Sequence, residues 1–339
     1  MESSTSTDWD SVLQFVADPL DLGFAPKATE TAVLQTGGNP QVPTPPHSSD
    51  GTPNTEEPTE GTTLVSISTT FYPGAQINEH PPDVVLLSSD SVFFYVHASV
   101  LLTSSSNQFN NLLPSNPAPS EGQDAMLSVP EHSTVLNVLL HIMYDMSCAH
   151  YSPPFPTFVT AVNRLPTYGV TPKLAIVPGT PIYASLLSHA PLFPLELYAL
   201  SASFDLYDLA VATSSHLLSF PLASLTDEMA EHIGPVYLKR LFFLHFGRSD
   251  ALKRVLLPPP HPHAPTPWCD FNEQKKLTRA WALASAYLAW DARPDLSTST
   301  MESALRPLAE HLTCDQCQLA LRDRIKNLVV QWSVVKRTI

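Results

Sequence analysis

Cysteine and histidine hold most of the chemistry this sequence offers. Cys314-Asp315-Gln316-Cys317 has the spacing of a metal knuckle or a thiol redox pair. Zinc normally takes four protein ligands in a structural site, and Cys269 with one of His261, His263 or His311 can complete a set around this pair. Against that, no second CxxC accompanies the first, and two reduced thiols near a helix end are the commoner use of the pattern. Cys269, Cys314 and Cys317 are therefore read as packing residues, with zinc and redox chemistry as the alternatives, and no cofactor is expected. The run His261-Pro262-His263 is read as part of a linker. His97 directly follows an apolar stretch and invites a catalytic role. The chain has no nucleophile elbow, P-loop, dinucleotide glycine motif or zincin helix. With 11 Gly in 339 residues, backbone cradles for phosphate are scarce. A non-enzymatic protein is expected.

The elements that must position these residues begin at Asp83. Val84-Val85-Leu86-Leu87 reads as a buried strand, Ser88 to Ser91 as turn chemistry, and Val92-Phe93-Phe94-Tyr95-Val96 as the returning strand. Ala98 to Leu102 starts a helix. Ser105-Ser106-Asn107-Gln108 fits a capping box opening a second one, with Phe109, Leu112 and Leu113 on one side and Pro114 as its stop. Leu64 to Thr69 adds an edge strand, Ala125 to Val129 a third core strand, and Ser133 caps a helix through Tyr144. A further helix carries Phe158, Val159, Val162 and Leu165 and closes at Tyr168-Gly169-Val170.

Strand, turn, strand, His, then helices with Phe ahead of a Leu resembles the entry segment of the BTB/POZ domain. The residues that carry the resemblance are Asp83, Val84, Leu86, Ser88 or Ser89, Asp90, Phe94, Val96, His97, Leu101, Ser105, Phe109 and Leu113. Ser91 stands where the family usually has a turn Gly, and Ala98 where Lys or Arg often follows the His. The resemblance is closest to fungal members with a long helical C-terminal part. It implies an α+β fold, a small sheet with helices packed on it, followed by an all-α region. It makes His97 a structural corner residue rather than a catalyst. Without a basic residue at 98, Asp83 is expected to bond backbone amides instead of forming the family's charged dimer pocket.

The domains are read as a disordered acidic Pro/Ser/Thr-rich tail at 1–62, a BTB/POZ domain at 63–178, a helical extension at 179–257, a Pro-rich linker at 258–267 and a C-terminal helical module at 268–339. The extension contains helices from Leu195 to Phe204, Asp208 to Leu218, one starting at Thr226, and one from Pro235 to Phe246. The last module contains helices capped at Asn272 and beginning at Thr300, and one from Leu319 to Val335. Arg322, Arg324, Lys326 and Lys336 are read as the solvated outer face of that last helix.

The net charge of −14 is concentrated in the tail, where ten acidic residues face Lys27 alone. No basic footprint for nucleic acid is visible, and no apolar run is long enough to span a bilayer. Trp9, Val12, Leu13 and Val16 share one helical face among acidic neighbours and form a candidate partner-docking segment. Four Cys do not make a disulfide framework in a chain this long, and the acidic N-terminus is not a secretory signal, so nucleus and/or cytoplasm is expected. The resemblance implies protein partners, through a homo-oligomer or another BTB protein. A self-associating scaffold is the favoured role. The alternatives are a substrate adaptor of a cullin-type ubiquitin ligase, with Val129-Pro130-Glu131 as the nearest candidate motif, and a transcriptional regulator acting through the acidic tail. The contact face is expected among the hydrophobic residues at the start of the domain and along Val100 to Leu113.

Overall fold

The computed structural model describes residues 66–113, 125–290 and 292–339. The acidic tail, with Trp9, Val12, Leu13 and Val16, lies outside the described residues. The described chain is mixed α/β, with one small four-stranded sheet and many helices. Among its helices none is long and apolar enough to cross a membrane.

The sheet has strands β1 (Ser66–Ile67), β2 (Val84–Leu87), β3 (Val92–Val96) and β4 (Ala125–Ser128), in the order β1-β3-β2-β4. β2 and β3 make the expected antiparallel hairpin, with Val84 opposite Val96 and Leu86 opposite Phe94. β4 runs parallel on the other side of β2 and β1 parallel on the outer side of β3, so both strands of the hairpin are enclosed by partners. The unbroken apolar run of β2 suits that place: Val84, Val85 and Leu86 are all buried. In the turn, Ser88 Oγ accepts the Val92 amide at 3.0 Å and donates to Asp90 Oδ1 at 2.7 Å. Ser91 holds φ at 61°, in the left-handed region that favours glycine.

Helix α1 (Ala98–Ser104) follows β3 directly. The expected right-handed helix after it is replaced by a left-handed turn, Gln108–Asn111, with φ between 53° and 58° at all four residues. The two side chains of the apparent capping box still cap. Ser105 Oγ accepts the Phe109 amide at 2.7 Å, and Asn107 Oδ1 accepts the Asn110 amide at 2.9 Å. Asn tolerates this backbone better than most residues, which is why a stretch with two adjacent Asn can adopt it.

Helix α2 (Ser133–Met143) covers the sheet with Val135, Leu136, Leu139, Ile142 and Met143, all buried. Its cap lies one residue before the expected Ser133, at His132, whose ring nitrogen accepts the Thr134 amide. Asp90 reinforces this start by accepting the Ser133 amide at 2.8 Å and the Ser133 hydroxyl at 2.6 Å. Helix α3 (Phe155–Arg164) packs on α2 and ends in a tight turn at Tyr168. Two helices, α4 (Pro172–Ala175) and α5 (Pro181–Ser188), occupy a stretch with no helix in the sequence reading; each begins with Pro, tolerated in a first turn.

Helices α6 (Pro194–Ser203) and α7 (Tyr207–Ser214) form the small-residue pair, with Ala199 and Ala210 buried. The helices expected at Thr226 and at Pro235 are one element, α8 (Asp227–Leu256), bent at Gly234, where φ is 71° just before Pro235. Helices α9 (Phe271–Trp290), α10 (Thr298–Leu305) and α11 (Asp315–Ser333) complete the chain. Asp270 rather than Asn272 caps α9, taking the amides of Asn272 and Glu273 at 2.9 Å. Helix α10 begins two residues before the expected Thr300, with Ser297 as its cap.

Among the described residues, three apolar cores result. The first runs from Phe71 to Leu209 and unites the sheet with α1 to α3 and the helices after them. The second joins the end of α8 to α9, α10 and α11 around Trp281. The third lies between, where Tyr198, Ala210, Ile233, Tyr237 and Leu241 meet. Helix α8 therefore contributes to two cores at once. Arg324 corrects the expected solvated face of α11. Its guanidinium is buried, donates from Nε to the Pro258 carbonyl at 2.7 Å and to the Val255 carbonyl, and lies over the Trp281 ring. A cation at the carbonyl end of α8 satisfies groups that the helix leaves without intrahelical donors. Arg322, Lys326 and Lys336 are exposed as expected.

Candidate functional site

The corner between β3 and α1 holds His97 among fixed partners. The His97 backbone amide donates to the Tyr144 hydroxyl at 2.8 Å, and that hydroxyl lies 2.9 Å from ring Nδ1. Ring Nε2 lies 2.9 Å from the His80 carbonyl, to which it donates. Since the carbonyl can only accept, Nε2 carries the proton and Nδ1 accepts from the phenol. Both nitrogens are thus engaged in a side chain that is 2% exposed. Burial pushes the Tyr144 phenol up to about 12, so it stays protonated and keeps donating at neutral pH. This arrangement locks a corner and leaves no free base. Asp83 sits at the surface, not in a buried pocket, and its Oδ1 accepts the Ala98 amide at 2.7 Å, the backbone role expected of it.

The other residues of the entry segment are core. Val84, Leu86, Phe94, Val96, Leu101, Phe109 and Leu113 are buried in the first cluster. Ser105 is buried beside them as an acceptor. Phe109 sits 4.6 Å from the Tyr168 ring, and so ties the left-handed turn to the end of α3. Glu131 of the Val129-Pro130-Glu131 stretch is also buried. It accepts from the Tyr168 hydroxyl and lies 3.4 Å from Arg164 Nε, so it faces inward.

The expected apolar surface is present in part, with Ile67 and Tyr72 exposed near the start of the domain. Among the described residues, Val100 to Leu113 shows no large exposed hydrophobic side chain. A row of exposed rings stands on α8: Phe242 is 48% exposed, Phe243 63% and Phe246 73%, while Trp268 and Trp290, outside α8, are more exposed still at 92% and 94%. With Pro235 and Leu238 the three Phe rings line one apolar groove, in which Lys239 is the single charged residue. The sequence signal was a Phe-Phe pair followed by Phe four residues on. It falls within the helix read from Pro235 to Phe246, in which Leu241 and His245 are buried while Phe242 turns outward.

Three of the four thiols converge where the Pro-rich segment meets the starts of α9 and α11. Cys314 occupies the position just before α11, Cys317 lies in its first turn, Cys269 stands just before α9, and His263 comes from the Pro-rich segment. One ligand atom from each of the four lies within 4.8 Å of the others. Cys269 Sγ is 3.7 Å from Cys317 Sγ, while His263 Nε2 is 3.2 Å from Cys317 Sγ and 3.4 Å from Cys314 Sγ. His261 and His311 are not in this set. Burial pushes the Cys269 and Cys317 thiols up, whereas backbone amides of Cys317 and Gln316 hold Cys314 low. The segment read as a plain linker is therefore a contributor to the cluster. Cys148 is buried far off in the first core. Comparison of the chain with family models, with curated proteins and with solved structures returns no match.

Proposed function

We propose that the chain is a non-enzymatic protein–protein interaction module of the BTB/POZ type, and that it self-associates through the aromatic face of α8. The observation that carries the contact is the row Phe242, Phe243 and Phe246, exposed on a helix whose opposite side is packed into two cores. Isolated exposed hydrophobics are ordinary, but a contiguous aromatic groove marks an interaction surface. A face with one charged residue suits a second copy of itself, because a two-fold contact sets like charges against like. Covering the three rings offers on the order of 5–8 kcal/mol before the costs of association.

The family assignment is supported by the hairpin with β4 parallel beside its first strand, the helix laid across it, and the engaged His97 at the corner. The test is light scattering on size-exclusion effluent at tens of micromolar. The wild type is expected to elute as a dimer, and the Phe242→Ser/Phe246→Ser double variant as a monomer with an unchanged far-UV spectrum. A monomeric wild type, or a dimer indifferent to both substitutions, refutes the proposal.

A further inference from the structure

Three of the six edges among these three thiols and one imidazole are close to those of a coordination tetrahedron, and all four ligand atoms lie within 4.8 Å of one another. Zinc binds sulfur at about 2.3 Å and imidazole nitrogen at about 2.0–2.1 Å, which at tetrahedral angles sets S···S edges of about 3.8 Å and S···N edges of about 3.5 Å. The Cys269–Cys317 edge is 3.7 Å, and the His263 edges to Cys314 and Cys317 are 3.4 and 3.2 Å. A disulfide needs about 2.05 Å between sulfurs, so the arrangement is that of separate thiols around a common centre.

The surroundings orient the ligands. His263 Nδ1 donates to the Ala264 carbonyl at 2.8 Å, which fixes the proton there and turns the Nε2 lone pair toward the sulfurs. Cys269 is held by a closed turn: its amide donates to the Thr266 carbonyl at 3.2 Å, and the Thr266 amide donates to the Cys269 carbonyl at 3.0 Å. Cys314 and Cys317 are set by the rigid start of α11.

We propose that His263, Cys269, Cys314 and Cys317 bind one zinc ion as a closed structural site. Thiolate and imidazole in a tetrahedral set select zinc over the hard divalent cations. Four protein ligands leave no position for substrate or water, so the ion cross-links and does not catalyse. What it joins is the Pro-rich segment, the start of α9 and the start of α11. The cysteines come from two helix starts and the histidine from a stretch that brings little apolar surface of its own.

The test uses the full-length chain, purified with reductant from zinc-supplemented medium. Elemental analysis should find one zinc per chain, lost in Cys314→Ser and in Cys317→Ser and kept in His261→Ala and His311→Ala. Because a cysteine variant can fail to fold, wild-type protein is also loaded with cobalt(II). Tetrahedral visible absorption with strong thiolate-to-cobalt charge transfer supports the site. A folded wild type with no zinc after supplementation, an octahedral cobalt spectrum, or undiminished zinc in Cys317→Ser overturns it. Peptide mapping that finds a Cys269–Cys317 disulfide in the reduced preparation also overturns it.

Discussion

Gly169 is where a single methyl group should do the most damage. Its φ is 73°, and a Cβ built there would lie 2.4 Å from Asn107 Oδ1 and 2.6 Å from the Asn107 backbone nitrogen. Neither neighbour can withdraw. The Asn107 side chain donates to the Thr167 carbonyl at 2.9 Å and accepts the Asn110 amide at 2.9 Å, and the adjacent Ser106 amide donates to the Gly169 carbonyl at 2.9 Å. Left-handed backbone costs a non-glycine residue roughly 1–2 kcal/mol, and forcing atoms into a packed place costs roughly 1–3 kcal/mol more. Gly169→Ala should therefore destabilise the sheet-bearing part by about 2–5 kcal/mol. The described tryptophans all lie at 268 and beyond, so their fluorescence is blind to this region. Hydrogen exchange followed by mass spectrometry reads it directly: protection in β2, β3 and α2 should fall by at least about 30-fold, while α9 to α11 change little. The added change Asn107→Gly should recover only part of the loss, because the clash with the backbone nitrogen remains. A fall of less than about 3-fold in those peptides refutes the reasoning.

Other consequences are as concrete. Ser91→Gly removes a side chain from a positive-φ turn and should stabilise the fold by about 0.5–1 kcal/mol, read as a raised unfolding midpoint in urea; a lowered midpoint contradicts it. Arg324→Met leaves the Val255 and Pro258 carbonyls short of a buried donor and should cost about 1–3 kcal/mol in tryptophan-monitored unfolding, with Arg324→Lys recovering little because it lacks the guanidinium fork. Partial burial pushes the Asp90 carboxyl up, but hydrogen bonds from Ser133 and Ser88 outweigh it and hold the group at about 2, against 3.8 ordinarily. A depressed carboxyl stabilises the fold above its unfolded value, and that contribution disappears as pH falls from about 4 through about 2. Asp90→Asn should therefore cost about 1 kcal/mol at pH 6 and almost nothing near pH 2, and an equal cost at both would be inconsistent with the cap.

The elements legible in the sequence are those whose local chemistry and burial agree. The hairpin is announced by an apolar run, a Ser/Asp turn and a β-branched aromatic run, and α2 by its apolar spacing. The left-handed turn at Gln108–Asn111 was not legible, because Ser105 and Asn107 can accept amides from either hand of turn. Arg324 was legible in principle. It falls three residues after Leu321 and four before Leu328, on the buried stripe of α11, and only its charge argued for solvent. The thiol cluster was half visible. CxxC names two ligands, but His261, His263 and His311 are equivalent on paper, and only the path of the Pro-rich segment selects His263.

Helix α8 explains how one chain can hold both the proposed contact face and the proposed cross-link without each depending on the other. Its last turn is fixed by protein groups alone. Trp281 Nε1 donates to the Leu256 carbonyl at 2.9 Å, Ser285 Oγ to the same carbonyl at 3.2 Å, and Arg324 reaches Val255 and Pro258. Its middle is fixed by Tyr198, whose hydroxyl donates to the Tyr237 carbonyl at 2.8 Å, and by Arg248, which donates to the carbonyls of Pro294 and Val335 and lies over Trp332. Stripping metal from His263, Cys269, Cys314 and Cys317 should thus loosen the stretch from Pro258 to Cys269 and the starts of α9 and α11, yet leave Phe242, Phe243 and Phe246 presented as before. Chelation that raises exchange in those three segments without altering the light-scattering mass fits this separation. Chelation that dissolves the dimer while α8 stays protected would mean that the aromatic row is not the contact.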